Sequence, residues 1–145
     1  MNIQINKMTM EHFLEINNVF EEMFDCFWNK NILKSEIENK LSTYIVASYE
    51  NKVVGFAGFL KVFDECDITN IVTRKDMRGK NIGSIMLNQL INIAKKKNIK
   101  RINLEVNEKN IIAQKLYKKY NFIKIGIRKK YYNNIDDAII MQLDI

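Results

Sequence analysis

Apolar positions recur along this chain with two periods, about two and about three and a half, and their order predicts strands alternating with helices. Ile3 and Ile5 alternate with polar neighbours, a short first strand. Thr9 stands before Met10-Glu11-His12 and apolar positions at Phe13, Ile16, Phe20, Met23 and Phe24, which predicts one N-capped amphipathic helix. A second helix is predicted over Asn31 to Leu41, after an aromatic-rich connection from Phe24 to Trp28. Tyr44 to Ala47 and Val53 to Ala57 flank Glu50-Asn51-Lys52 and read as a hairpin, and Cys66 to Thr73 as a further strand. Ile82, Ile85, Met86, Leu90, Ile93 and Ala94 share one helical face. From Arg101 to Val106 the alternation puts Ile102, Leu104 and Val106 on one side of a strand and Asn103 and Glu105 on the other. A helix from Asn110 to Tyr120 and strands from Phe122 to Ile127 and Ala138 to Leu143 complete the order. β-α-α-β-β-β-α-β-α-β-β predicts a single α/β (α+β) domain over residues 1–145, a mixed, mostly antiparallel sheet flanked by four helices.

Composition narrows the class. With 145 residues, 47% apolar and 28% charged, the chain reads as one soluble globular domain. No run approaches the roughly 18 apolar residues of a membrane span, and Met1 to Asn6 do not form a signal peptide, so no membrane role is expected. Cys26, Cys66 and the lone His12 offer neither a disulfide framework nor a zinc set, which fits a cytoplasmic protein without a metal. The net charge of +6 is unevenly spread. Residues 1–72 hold six lysines against eleven acids, whereas residues 73–145 hold seventeen basic residues against six acids. Such a split suits an anion bound by the second half and a cationic partner met by the first. No interleaved aromatic and basic motif accompanies the basic half, so direct nucleic-acid binding is not expected.

The segment from Ile71 to Ile85 carries the anion signal. A strand ends near Thr73, a basic loop follows (Arg74, Lys75, Arg78, Lys80), and a long helix begins near Ile82. The unpaired N–H groups and dipole of a helix start favour phosphate, and Gly79 and Gly83 let the backbone approach it. Arg78-Gly79-Lys80-Asn81-Ile82-Gly83-Ser84 resembles the acyl-CoA pyrophosphate loop of the GNAT acetyltransferase superfamily, with Asn81 where that pattern has its first glycine. Asn is the residue after glycine that best tolerates a left-handed backbone, so the loop shape is expected to survive. Asn70-Ile71-Val72, Leu104-Glu105-Val106, Asn110 with Ala113, Leu116-Tyr117, Tyr120-Asn121-Phe122, Tyr131-Tyr132 and Asp137 to Met141 extend the resemblance. Together they are similar to the ribosomal-protein-alanine N-acetyltransferases of that superfamily. The resemblance implies acetyl transfer from acetyl-CoA to an N-terminal alanine of a ribosomal protein, contacts to the cofactor from residues 70–72, 78–84 and Asn110, and an aromatic segment at Phe27-Trp28 beside the peptide site.

Acetyl transfer to an amine needs a neutral nitrogen, a polarised thioester carbonyl and a proton for the departing thiolate. A free α-amino group titrates near ~7.7–8.0, so a base must take its proton. Glu105, mid-strand and opposite two apolar residues, is the candidate base, with its pKa raised by partial burial; a solvated or lysine-paired carboxylate is the plainer alternative. Asn110, Ala113, Gln114 and Tyr117 share one helical face that suits a thin pantetheine arm. The resemblance makes Tyr117 the acid for the leaving sulfur; core packing is its alternative. A strand N–H between Asn70 and Val72 is expected to polarise the carbonyl. Phe27, Trp28, Tyr131 and Tyr132 are expected to wall a short peptide end, with Asp64, Glu65 and Asp67 favouring a basic peptide. Three rivals stay open: a small-molecule amine as acceptor, a weakly catalytic acyl-CoA-binding module hinted at by Asn81, and an acetyl-cysteine route through Cys26 or Cys66, for which no histidine lies close in sequence.

Overall fold

A computed structural model describes residues 1–145 of the chain. The elements are β1 (Gln4–Lys7), α1 (Met10–Asn17), α2 (Phe20–Met23), α3 (Lys30–Glu38), β2 (Ser42–Tyr49), β3 (Lys52–Val62), β4 (Glu65–Thr73), α4 (Ile82–Lys96), β5 (Arg101–Asn107), α5 (Ile111–Lys119), β6 (Ile123–Tyr132) and β7 (Asp136–Asp144). One seven-stranded sheet runs β1-β2-β3-β4-β5-β7-β6. Every neighbouring pair is antiparallel except β4 and β5, which α4 joins as a crossover. No helix is long and apolar enough to cross a membrane.

The expected order of elements is present, with local differences. The helix expected through Phe24 is broken into α1 and α2 at Asn18 and Val19, which gives five α-helices rather than four. Asn17-Asn18-Val19 is a run of poor helix formers, and the break still keeps Phe13, Ile16, Phe20 and Phe24 buried. At its start Thr9 accepts from the His12 N–H and His12 Nδ1 accepts from the Thr9 N–H at 2.9 Å, so the lone histidine closes a capping box. On α4 the buried arc is wider than the expected stripe: Leu87 and Ile91 are sealed as well, while Ile85 and Ile93 are half-buried. β6 runs on to Tyr132, five residues past the expected end at Ile127.

Two cores sandwich the sheet. Phe59, Met86, Leu90, Ile102 and Met141 belong to the core under α4 and α5. Phe13, Phe20, Leu33, Val46 and Phe56 belong to the one under α1, α2 and α3. Between them the sheet splits. β4 and β5 pair only at Glu65–Arg101, Cys66–Ile102 and Asp67–Asn103, and then diverge. A bulge bends β4 there: Phe59 pairs with Ile68 and Gly58 with Asn70, leaving Thr69 as the extra residue.

Candidate active site

The split leaves the β5-facing backbone edge of β4 beyond Asp67 without a strand partner, so its amides are free to meet a ligand. A groove of about 190 Å³ fills the gap, lined by Asn70, Ile71 and Val72 from β4, Glu105 from β5 and Asn110 and Tyr117 at α5. A second cavity, of about 270 Å³, opens beside it, lined by Phe27, Trp28, Asp67, Glu105, Tyr131 and Tyr132 among others. Glu105 and Tyr132 belong to both. Leu104 and Val106 point into the core under α4 and α5, so Glu105 stands on the other face of the sheet. The split is what lets the carboxylate and the α5 residues share one space.

Glu105 is 26% exposed at its side chain, and its pKa lies above the usual carboxylate value. Desolvation is the main cause, opposed by Arg128 and reinforced by Asp67. No sequence neighbour of Glu105 is basic, yet Arg128 Nη2 lies 2.8 Å from Glu105 Oε1. β7 lies between the two strands, so sequence adjacency could not show this contact. Glu105 Oε2 is buried without a partner, as is Asn103 Oδ1. Asn103 donates through Nδ2 to Glu65 Oε1 at 3.0 Å and Asp67 Oδ1 at 3.1 Å, which clamps β4 to β5 where the split begins.

Asn70 was expected at the cofactor, and only its backbone is available for that. Its side chain is the centre of a directional chain behind β4. Thr69 Oγ1 donates to the Gly58 carbonyl at 3.3 Å, so Tyr44 Oη donates to Thr69 Oγ1 at 2.7 Å. Asn70 Nδ2 donates to Tyr44 Oη at 2.9 Å, and Cys26 Sγ donates to Asn70 Oδ1 at 3.1 Å. The chain pins the bulge from the α1–α3 side and ties it to the Cys26 segment.

At the loop from Arg78 to Ser84 the expected left-handed backbone is present: Asn81 has φ 67°, ψ 14°, and Gly79 has φ 75° with open space where a Cβ would stand. Asn81 makes no side-chain cap bond, so the first amides of the 15-residue α4 remain unpaired by side chains. Ile82 is buried, and Ser84 Oγ bonds the Tyr120 hydroxyl at 2.6 Å, so both turn their side chains inward and can offer only N–H groups. Gly83 lies against α5, where an added Cβ would meet Leu116 at an ordinary 3.5 Å. No packing inside the chain requires that glycine. Arg78 Nη2 holds Asp25 at 2.9 Å and Lys75 Nζ stands 3.5 Å from it, whereas Lys80 is exposed. The salt bridge through Asp25 was not foreseen.

On α5, Asn110 Oδ1 caps the Ala113 N–H at 3.1 Å while lining the groove. Gln114 does not line it: Nε2 donates to the Asn107 and Glu108 carbonyls and the side chain is buried. Tyr117 packs against Phe122 with ring centroids 5.8 Å apart, and burial pushes its phenol far above 10. It both packs and faces the groove, so the two readings from sequence are not exclusive.

Phe27 and Trp28 come together with Tyr131 and Tyr132 from segments a hundred residues apart. Phe27 stacks on Tyr131 at 5.7 Å and meets Tyr132 edge-on at 5.1 Å, and Trp28 lines the same cavity. Burial pushes the Cys26 thiol up to about 11 and the Cys66 thiol up to about 12, so both stay protonated and are poor nucleophiles. The features that sequence reasoning missed are Arg128, the Tyr44–Thr69–Asn70 chain, the Asn103 clamp and the salt bridge through Asp25. Only Arg128 had a partial signal: the Asn133-Asn134 turn returns β6 along β7, but the irregularity between Arg128 and Tyr132 shifts the register and decides that Arg128 stands opposite Ala138.

Comparison with known proteins adds the family. The description Acetyltransferase (GNAT) family matches residues 9–122. A protein of Bacillus subtilis (strain 168), provisionally named a ribosomal protein bS18-alanine N-acetyltransferase, is 32% identical over 97% of this chain and 95% of its own. The ribosomal protein bS18-alanine N-acetyltransferase of Haemophilus ducreyi is 30% identical over 80% of this chain and 82% of its own. The crystal structure of the Escherichia coli ribosomal-protein-S18-alanine N-acetyltransferase superposes with a TM-score of 0.90 over 99% of this chain and 94% of that one, at 24% identity, and so speaks for the fold. The family match over most of the chain and these relatives lead to one assignment: the chain belongs to the GNAT acetyltransferase family and is an acetyl-CoA-dependent N-acetyltransferase.

Proposed function

We propose that this enzyme acetylates the N-terminal α-amine of a basic peptide, namely the N-terminal alanine of a ribosomal protein in the cytoplasm. The observation that carries the reading is that the groove and the aromatic cavity meet at Glu105. Relatives named for that reaction support it. In this reading the amides of Asn81 to Ser84 and the side chains of Arg78 and Lys80 hold the cofactor's diphosphate, with Gly79 giving it room. Asn110 and the free edge of Asn70 to Val72 flank its pantetheine arm. One β4 amide donates to the thioester carbonyl, where a preorganised donor favours the developing negative charge. The acetyl carbon is the electrophile the cofactor supplies; the chain's residues orient it and move protons.

Glu105 takes the amine's proton, directly or through one water. The amine then attacks in a ternary complex, since neither cysteine suits an acyl relay. Tyr117 donates a hydrogen bond to the leaving sulfur. A phenol above 10 facing a thiol near ~8.5 makes complete transfer uphill by more than about 2 kcal/mol unless the buried thiolate is equally desolvated. A thiolate also leaves readily without help. Tyr117→Phe therefore lowers kcat only about tenfold, with the KM for acetyl-CoA little changed. Steady-state kinetics check this, and an unchanged kcat leaves Tyr117 a packing role alone.

Phe27, Trp28, Tyr131 and Tyr132 flank the peptide end, and Asp64, Glu65 and Asp67 attract basic residues behind it. Acetyl-CoA consumption with Ala-initiated peptides is expected to be several-fold faster when Lys or Arg follows, and that advantage shrinks between about 0.05 and 0.5 M salt. Equal rates on neutral and basic peptides remove the acidic surface from the account. Faster turnover of a polyamine or amino sugar than of any peptide shifts the acceptor to a small amine.

A further inference from the structure

Glu105 already faces a cation in the free protein. β6 brings Arg128 opposite Ala138 of β7, and the long side chain crosses β7 to put Nη2 2.8 Å from Glu105 Oε1. The guanidinium carbon also stands 4.7 Å from the centroid of the Tyr131 ring. A carboxylate at one side and an aromatic face at the other hold the fork in a defined place, although half of the side chain is exposed. The second carboxylate oxygen, Oε2, is buried and bonds to nothing in the chain. A buried, unpaired acceptor is costly, which leaves the contact to Arg128 as the one polar partner inside the chain that holds this carboxylate in place.

We propose that Arg128 is a positioning residue for the transfer reaction: it holds Glu105 through Oε1 where the groove and the aromatic cavity meet, so that the carboxylate faces the incoming amine with its charge intact. This rests on the reading of Glu105 as the base. The groups around that carboxylate set the direction of the effect. Asp67 from β4 is acidic, Tyr132 from β6 is a neutral phenol raised to about 12, Ile140 from β7 is apolar, and Arg128 is the one cation. Desolvation and Asp67 favour the protonated acid, and Arg128 opposes both. Without its charge the carboxyl ionises at higher pH, and activity is lost from the acid side first.

The test is kcat/KM against pH, from 5 to 9, for the wild type, Arg128→Gln and Arg128→Lys, with an Ala-Lys-initiated hexapeptide and acetyl-CoA. The peptide's own amine titrates identically in all three, so the ratio of variant to wild type isolates the enzyme's carboxyl. For Arg128→Gln the ratio is expected to fall as pH falls, with a further loss of roughly tenfold between the two ends of the range. Arg128→Lys, which keeps the charge, is expected to give a nearly flat ratio. Thermal unfolding should move little for either, because the site is at the surface. A pH-independent ratio for Arg128→Gln overturns the proposal, and so does a Lys variant as acid-sensitive as the Gln variant. Glu105→Gln separates the two layers. If it keeps wild-type turnover, the base assignment fails and Arg128's role with it. If it is inactive while the Arg128→Gln ratio stays flat, only the inference about Arg128 fails.

Discussion

Glu105→Gln lowers kcat by about 10²–10⁴-fold and leaves the KM for acetyl-CoA within about twofold. The amide keeps the size of the side chain and can still accept through one oxygen, so the β5 strand and both cavities stay as they are. What disappears is the ability to accept a proton from the attacking amine. Residual rate should rise with pH as the free amine itself deprotonates near ~7.7–8.0, since that supplies the reactive form without a base. The wild type should fall away at a pH above the ordinary carboxylate range, because desolvation raises the pKa of Glu105 and only the ionised form is active. Stopped and continuous assays of thiol release across pH give both curves. A Gln variant within about threefold of wild-type kcat would remove Glu105 from the chemistry and leave it as Arg128's salt-bridge partner.

The second large effect is on the scaffold. A Cβ at Gly58 would lie 2.5 Å from three carbons of the Tyr44 ring, well inside contact distance. Tyr44 cannot swing aside cheaply: its hydroxyl is bonded to Thr69 and Asn70, and the ring is 4% exposed. Gly58→Ala is therefore expected to cost about 2–3 kcal/mol, a fall in Tm of roughly 6–12 °C for a chain of this size. Because the displaced ring pulls on the two residues at the β4 bulge, kcat should drop as well, at temperatures where the variant is folded. Gly126→Ala is the control for stability, since its Cβ would meet only Ile140 Cδ1, at 3.8 Å. Calorimetry of the two variants checks the contrast. Equal Tm values would mean that Tyr44 has room to move and that the bulge is not held from behind.

Much of the site was readable because it depends on local rules. Alternation from Ile102 to Val106 put Glu105 on the side away from the apolar residues, and it is there. The tolerance of Asn for a left-handed backbone predicted the shape at Asn81, which has φ 67°. Asn110 starts α5 and Tyr117 lies two turns along it, so their common face follows from helical geometry alone. Side-chain direction was less readable. Asn70, Ile82 and Ser84 lie where the motif puts them, yet their side chains point into the protein, because hydrogen bonding to Tyr44, burial under α4 and the Tyr120 hydroxyl claim them first.

The sequence by itself determined the elements, their order and the residue types at the chemical positions, since periodicity, capping and backbone tolerance act over a few neighbouring residues. Only the tertiary structure decided that the sheet opens between β4 and β5, that Glu105 reaches the α5 residues through that opening, and that Arg128 reaches Glu105 across β7. Each of these depends on register between distant strands. One extra residue at Thr69 turns the β4 edge, and no local pattern of apolar and polar residues records which strand will pair past it.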